Sequence, residues 1–482
     1  MSADAPAIFA GVPAYGQASY ETIDPTTERP IASVTECTLD DVRDAAAAAA
    51  AAVPTWAATP LSTRRAALRL TAERLQARRH ELIDLAIRDC GARVSVATST
   101  QVDAAINRLF MWSQMSEEAL WLPEPQPADG LRSDVVRRPV GVVGCISPYN
   151  FPLLAMIGKV APALFAGNAV LMKPAPQDPL LVVALAEALL EGLEQVGAPS
   201  AVASLLTGSR PELGAAIVTD PNVHAISFTG STAVGHAINT AAAPGMKRLL
   251  LELGGKGACI VRADADVNAA AEALLRTWTV QSGQVCLTPA RIIADSAVHD
   301  ELAERLLARL AEVQLGDPRD PDTTVGPLIS AAQRTKVEEL IASASREGCE
   351  VHRGGTRPYV GYFVKPALIT GCDPANAVMQ EEAFGPVLAM MRSNGDDEAV
   401  AAANSTRYAL TDYVFTADET KGTAIAARLH SAQVGINHTR RHGTAPFGGN
   451  RESGFGRSGG MYSLEACTTV QTVSFLDPSE NH

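Results

Sequence analysis

Gly141-Val-Val-Gly-Cys-Ile146, the segment Leu153 to Phe165, and Asn168-Ala-Val-Leu-Met-Lys173 together form the passage that decides the fold. The first and last runs are short, apolar and bounded by turn-forming residues, so each reads as a buried strand. Between them, apolar residues recur at helical spacing. A strand, a crossover helix and a second strand make a parallel βαβ unit. Strands buried on both faces are expected to be continuously apolar rather than alternating. The whole stretch Val140 to Met172 is apolar enough to raise the question of a membrane span. Pro148, Asn150, Pro152, Lys159 and Pro162 interrupt it, which fits strand, loop and helix instead.

Working outward, the alternation continues. Leu180 to Val196 reads as a helix, and Val202 to Leu206, Ala225 to Phe228 and Arg248 to Leu251 read as further strands. A second α/β run follows from Asp264 to Phe447, with no internal repeat. On the other side, residues 24 to 36 form an extended lead-in. Asp40 or Asp41 is expected to cap a helix through Ala45 to Ala52. Helical periodicity then runs from Thr63 to Ile87 and from Gln101 to Leu120. Proline-rich Leu122 to Pro127 and the later Val135, Val136 and Pro139 read as an exposed hairpin over 121 to 139. The tail, Cys467 to Leu476, alternates like an edge strand that adds to another sheet, as an oligomer would use.

With 482 residues, the chain exceeds one hydrophobic core, so two or three domains are expected. Composition is ordinary for a globular protein, at 47% hydrophobic and 19% charged residues. A net charge of -13 argues against nucleic acid or an anionic membrane surface as partner. The eight cysteines are irregularly spaced, with no CxxC pair, so neither a metal site nor a disulfide framework is expected. Free thiols fit a reducing cytoplasm. Met1 to Ala10 lacks a basic region followed by an apolar run, so no signal peptide is expected.

Several short segments carry chemistry. In Gln281-Ser-Gly-Gln-Val-Cys286, Gly283 permits a tight turn that presents Cys286 as an exposed nucleophile; alone, an inert buried cysteine is the commoner reading. In Leu249-Leu-Leu-Glu-Leu-Gly-Gly-Lys256, a carboxylate within an apolar strand is expected to hold its proton more tightly, as suits a general base. The bland alternative pairs Glu252 with Lys256 or Arg248. Asn150, between strand and helix, offers either an amide donor to an oxyanion or an ordinary cap. Phe228-Thr-Gly-Ser-Thr-Ala-Val-Gly235 opens a helix whose amides suit a phosphate, although the spacing is not GxGxxG. Lys173 ends a strand, where a ribose or phosphate would lie.

Together and in this order, these motifs resemble the aldehyde dehydrogenase superfamily from about residue 20 to 476. Further matching segments are Pro148-Tyr-Asn-Phe-Pro152, Gly167-Asn-Ala-Val-Leu-Met-Lys-Pro174, Gly316-Asp-Pro318 with Val325-Gly-Pro-Leu328, Glu381-Glu-Ala-Phe-Gly-Pro-Val387, and Pro446-Phe-Gly-Gly449 with Ser453-Gly-Phe-Gly-Arg457. The resemblance implies an α/β fold with three parts. A Rossmann-type cofactor domain would span 1–120 and 140–253, and an α/β catalytic domain 254–450. A small β oligomerisation element would comprise 121–139 and 465–477. It implies a homodimer or homotetramer.

The roles it implies fall residue by residue. Cys286 is the nucleophile, Glu252 the base that activates water, and Asn150 with the Cys286 amide the oxyanion site. Lys173 meets the adenosine ribose, Gly230 and Ser231 the pyrophosphate, and Val234 the adenine side. Ile146, Ser147 and Tyr149 lie along the cofactor, Leu253 by the carboxamide, and Glu382 and Phe384 by the nicotinamide ribose and ring. The cofactor is NAD, with NADP as the alternative. Pro176 stands where many NAD-preferring members carry a ribose-binding glutamate, so the acceptor is less strictly specified. Tyr149 replaces the usual Trp before the asparagine, and Arg451 a usual lysine.

The loop Asn437 to Ala445 matches the family's substrate mouth. Its Arg440 and Arg441 suit a polar or anionic aldehyde such as a semialdehyde, while the helix carrying Trp112, together with Phe447, suits an aromatic or alkyl body. A CoA-acylating relative is the rival reaction, and the presence of Glu252 favours hydrolysis. A non-catalytic relative would be expected to lack Cys286 or Glu252, and both are intact.

Overall fold

The computed structural model describes residues 3–9, 11–16, 18–126 and 129–476. Residues 127 and 128 of the expected hairpin, residue 477 of the expected tail and parts of Met1 to Ala10 lie outside them.

Five parallel strands form the centre of the first large sheet. In space they run Ala203–Leu205, Ala169–Lys173, Val142–Ile146, Val223–Thr229, Arg248–Glu252. Numbered along the chain, that order is 3-2-1-4-5, the doubly wound arrangement. Antiparallel strands finish both edges: Gly454–Phe455 beyond Glu252, and Ala7–Phe9 with Val12–Ala14 at the other side. The strand order reverses between Val142–Ile146 and Val223–Thr229, so a crevice opens at their carboxyl ends.

The alanine run does form a helix, Leu39–Ala58, and it passes through Pro54. Its cap is Thr38 rather than Asp40 or Asp41. The Thr38 hydroxyl accepts from the Asp41 amide at 3.2 Å, and the Asp41 carboxylate accepts from the Thr38 amide at 2.7 Å. The aspartates thus complete a capping box inside the first turn, where the helix dipole favours them. Ala45, Ala46 and Ala49 are buried in one cluster with Val142, Ala169 and Leu171 of the sheet, so small side chains let the helix lie close to it.

The expected helix from Thr63 to Ile87 is two, Leu61–Ala77 and Arg79–Cys90, broken at Arg78, whose guanidinium is tied to Glu81 and Glu187. Gln101 to Leu120 is also divided, into the end of a π-helical stretch Ala97–Asp103, the helix Ala104–Ser113 and a 3-10 turn Glu117–Leu120. The extended lead-in is an antiparallel pair, Ser19–Asp24 with Arg29–Thr35.

The second large sheet runs Glu350–Arg353, Ala367–Thr370, Val387–Ser393, Arg291–Asp295, Ala258–Val261, Thr411–Phe415, Gln433–Ile436. All neighbours are parallel except the first pair.

The segment 121–139 folds back on itself over a short stretch, where Trp121 bridges antiparallel to Val136 and the Leu122 amide donates to Val135 O at 2.9 Å; its strand Leu131–Pro139 takes its main partner elsewhere, pairing antiparallel with Thr468–Leu476 along its whole length. A partner strand from the far end of the chain was invisible to local patterning. The ribbon leaves Leu131, Val470, Phe475 and Leu476 exposed. Among the described residues, no helix is long and apolar enough to cross a membrane, and no group of His, Cys, Asp and Glu side chains is arranged to hold a metal.

Candidate active site

A cavity of about 700 Å³ lies between the carboxyl ends of the first sheet and the loops that lead into the second. Cys286, Glu252 and Asn150 all line it, although they come from three well-separated segments.

The Cys286 loop is bent by three successive left-handed residues, Gln281 (φ 46°), Ser282 (φ 56°) and Gly283 (φ 73°). Only glycine fits at 283, because a Cβ there would fall 2.2 Å from the Gly385 carbonyl oxygen. Buried hydrogen bonds pin this geometry: Ser282 Oγ donates to Gly326 O at 2.9 Å, Gln281 Nε2 to Cys90 O at 3.3 Å, and the Ile329 amide to Gln284 Oε1 at 3.0 Å. The result is that Cys286 is part-exposed, whereas the other seven cysteines are buried. Burial, reinforced by the nearby Glu382 and Glu252 carboxylates, pushes its thiol up to about 12, and Arg441 opposes them. The resting group is therefore a protonated thiol at neutral pH.

Asn150 is buried at the turn between the Val142–Ile146 strand and the helix Pro152–Ala166. Its side-chain Nδ2 donates to Gln284 O at 2.8 Å, two residues before the cysteine, and Gln101 Nε2 holds its backbone carbonyl at 2.7 Å. One amide N–H is thus spent on orientation and the second remains to serve a ligand.

Glu252 ends its strand and is half-buried, not enclosed by apolar neighbours as the strand pattern implied. Neither rival partner holds it. Arg248 reaches Glu465 O, and Lys256 is buried with its Nζ unpartnered. Instead the Ser458 hydroxyl donates to Glu252 Oε1. Ser458 is itself fixed by two backbone hydrogen bonds with Phe447, at 2.7 and 2.6 Å.

Most of the residues expected to meet a dinucleotide also line the cavity. Gly230 and Ser231 follow the Val223–Thr229 strand, and Ser231 caps the helix Thr232–Ala242 by accepting from the Val234 amide at 3.4 Å. The free amides of that helix start suit a pyrophosphate. Val234 lines the cavity and is 47% exposed, an apolar surface for a flat ring. Ser147, Tyr149, Leu253, Glu382 and Phe384 also line it. The rings of Tyr149 and Phe384 meet edge-on at 5.7 Å. Glu382 Oε1 accepts from the Gly255 amide at 2.9 Å, and a Cβ on Gly254 would come within 2.5 Å of its other oxygen. Ile146 and Lys173 pair at adjoining strand ends but stand behind the lining. The Lys173 ammonium rests on the Pro174 and Gly208 carbonyls, at 3.3 and 3.4 Å.

Of the residues expected to meet the substrate, Trp112, Phe447 and Arg441 line the cavity, while Arg440 does not. Arg440 is exposed, and its neighbour Thr439 is buried, so successive loop residues face different ways. Arg441 lies over the Phe447 ring, 4.1 Å from its centroid. Arg108, Lys159 and Ser458 also line the cavity and escaped the sequence reading. Each lies in a mainly apolar or glycine-rich stretch, with no spacing that marks it.

The family model for the aldehyde dehydrogenase family matches residues 12–473. Among curated relatives, the chain is 35% identical over 466 residues to aminoaldehyde dehydrogenase 1, peroxisomal, of Malus domestica, covering 94% of this chain and 91% of that protein. It is also 35% identical over 468 residues to 2-hydroxymuconic semialdehyde dehydrogenase of Pseudomonas sp. (strain CF600), covering 94% and 95%. Among solved structures it is similar to betaine aldehyde dehydrogenase of Staphylococcus aureus in complex with NAD+, with a TM-score of 0.93 and 30% identity, covering 98% of this chain and 95% of that one. The chain therefore belongs to the aldehyde dehydrogenase family, the NAD(P)-dependent enzymes that oxidise aldehydes.

Proposed function

We propose that the chain oxidises an aldehyde to a carboxylic acid by covalent catalysis at Cys286, with Asn150 as oxyanion donor and Glu252 as general base. The observation that carries this reading is the convergence of those three side chains on one cavity. Water carries the Cys286 thiol proton to solvent, and the thiolate sulfur attacks the aldehyde carbon. The free Asn150 amide N–H and the Cys286 backbone amide steady the oxyanion. Bound NAD(P)+ supplies the hydride acceptor. Loss of hydride from the thiohemiacetal leaves a Cys286 thioester. Glu252, oriented by Ser458, takes a proton from water as the water oxygen attacks the thioester; the carbon–sulfur bond breaks, Cys286 leaves as the thiolate, and the acid departs.

In this reading residues 1–120 and 140–253 bind the dinucleotide and 254–450 carry the chemistry. Lys173, Ile146, Ser147, Tyr149, Gly230, Ser231, Val234 and Leu253 serve the cofactor, with Glu382 and Phe384 reaching it from the second sheet. NAD+ is the preferred acceptor, supported by the NAD+ complex of the Staphylococcus aureus relative. NADP+ is the alternative, favoured by Pro176. The exposed ribbon of Leu131–Pro139 and Thr468–Leu476 joins copies of the chain, and the free thiols suit a cytoplasmic enzyme.

The test is an initial-rate screen of alkyl, aromatic, carboxylated and amino aldehydes against both NAD+ and NADP+, with and without CoA. Reduced nicotinamide without a CoA requirement is expected. A strict CoA requirement would move the chain to the acylating reaction, and silence across the panel would overturn the enzymatic reading.

A further inference from the structure

Two guanidinium groups, Arg108 and Arg441, line the substrate end of the cavity, and they reach it from distant places. Arg108 stands on the helix Ala104–Ser113 beside Met111 and Trp112. Arg441 stands on the loop after the strand Gln433–Ile436. The structure makes room for each. Arg108 Nη1 donates to the Leu154 carbonyl at 3.3 Å, and a Cβ on Gly158 would fall 2.9 Å from that nitrogen, so glycine leaves its berth open. Arg441 is laid against the Phe447 ring, and its Nε is buried without a hydrogen-bond partner.

Among the described residues, neither guanidinium has a carboxylate within ion-pair distance. That is unfavourable, because both are part-buried without an ion-pair partner and they repel each other. Burial, and then the charge of Arg441, pulls Arg108 down to about 10. The Glu252 carboxylate offsets part of this charge from beyond ion-pair distance, while the Ser458 hydroxyl donates to it. The third cation of this region, Lys159, is turned onto the Ser227 and Thr229 hydroxyls, at 3.4 and 2.7 Å. In a chain of net charge -13, this corner is positive.

We propose that Arg108 and Arg441 together hold an anionic group at the far end of the substrate, a carboxylate, so that the enzyme takes semialdehydes of dicarboxylic acids and turns away cationic aldehydes. The proposal rests on the reading of Cys286 as the nucleophile, which fixes the aldehyde end. Met111, Trp112 and Leu154 line the same space and cover the carbon skeleton. Arginine forks suit a carboxylate because two parallel N–H donors meet its two oxygens. A quaternary or primary ammonium would face like charge here.

The test compares 4-oxobutanoate, butanal and 4-aminobutanal, and in parallel 4-formylbenzoate and benzaldehyde. The anionic member of each set is expected to lead in kcat/KM by about 10- to 100-fold, with the cation last. Arg108→Met and Arg441→Met are each expected to raise KM for the anionic aldehyde and cut the anionic-to-neutral preference by about tenfold, with partial recovery in Arg108→Lys and Arg441→Lys. Equal or better use of the neutral aldehyde, or variants that weaken all aldehydes alike, would overturn the clamp.

Calorimetric titration of the resting protein with succinate provides a readout that needs no catalysis. Succinate binding that is lost in both Met variants, with no aldehyde oxidised, would sink the Cys286 reading and keep the clamp. Neutral aldehydes oxidised with no succinate binding would sink the clamp alone.

Discussion

The two large sheets meet the cavity from opposite ends of their strands. The first presents carboxyl ends: Ile146, Thr229 and Glu252 each close a parallel strand there. The second presents amino ends, through loops carrying Gly254, Cys286 and Glu382 that feed into strands starting at Ala258, Arg291 and Val387. Carboxyl ends turn into helix starts, whose free amides attract an anion. Amino-end loops have no such dipole. Theirs are fixed by glycine packing and buried hydrogen bonds, which suits a nucleophile that must be held rigidly. The division is incomplete in an instructive way. Glu252, proposed for the chemistry, rides on the first sheet, and Glu382, proposed for the cofactor, on the second, so each unit reaches across to complete the other's half of the site.

The sharpest way to break this comparison is Cys286→Ala. It is expected to lower kcat by about 10⁴-fold or more, while fluorescence titration still detects cofactor binding at the first sheet. Loss of both would show that the two edges do not act separately. The thiol itself supplies the next largest effect. With a value near 12, its thiolate fraction rises about tenfold per pH unit, so alkylation of Cys286 by iodoacetamide is expected to climb about a thousandfold from pH 7 to pH 10. A plateau below pH 9 would mean that burial and the two carboxylates do not govern it.

Glu252→Gln tests the crossing residue. Hydrolysis is expected to slow by about 10²-fold, so that rapid mixing shows a burst of reduced nicotinamide near one per active site and then a slow phase. The absence of a burst would place Glu252 before thioester formation.

Gly283→Ala tests the rigidity of the second edge and is expected to cost about 2–4 kcal/mol in urea unfolding, because it adds a backbone clash to left-handed strain. Gly371→Ala shares the strain (φ 67°) but meets nothing within 4 Å, and about 1 kcal/mol is expected. Equal costs would mean that the Cys286 loop yields. The smallest effect is that of Ser458→Ala, about three- to tenfold in kcat with KM nearly unchanged, the worth of one orienting hydrogen bond.

Much of the proposed site could be read because each of its parts is a short continuous stretch. A glycine-relieved turn before Cys286, a glutamate closing an apolar strand and a helix opening after Phe228-Thr-Gly-Ser are local events. Where the sequence reading failed, the cause was distance or direction. Thr38 outcompeted the aspartates because it alone could exchange hydrogen bonds with Asp41. The expected hairpin found its partner strand at Thr468–Leu476, at the far end of the chain. Arg440 and Arg441 are indistinguishable by type and differ only in which way the loop turns them.

By itself, then, the amino-acid sequence determined the parallel α/β architecture and singled out Cys286 as the proposed nucleophile with its ordered companions, because strand burial and tight turns are written in neighbouring residues. Tertiary structure alone decided that Arg108 and Arg441 line one cavity, that Ser458 and not Lys256 holds Glu252, and that Arg440 stays outside that lining. Those facts depend on where side chains of separate elements point once packed, and packing is a property of the whole chain.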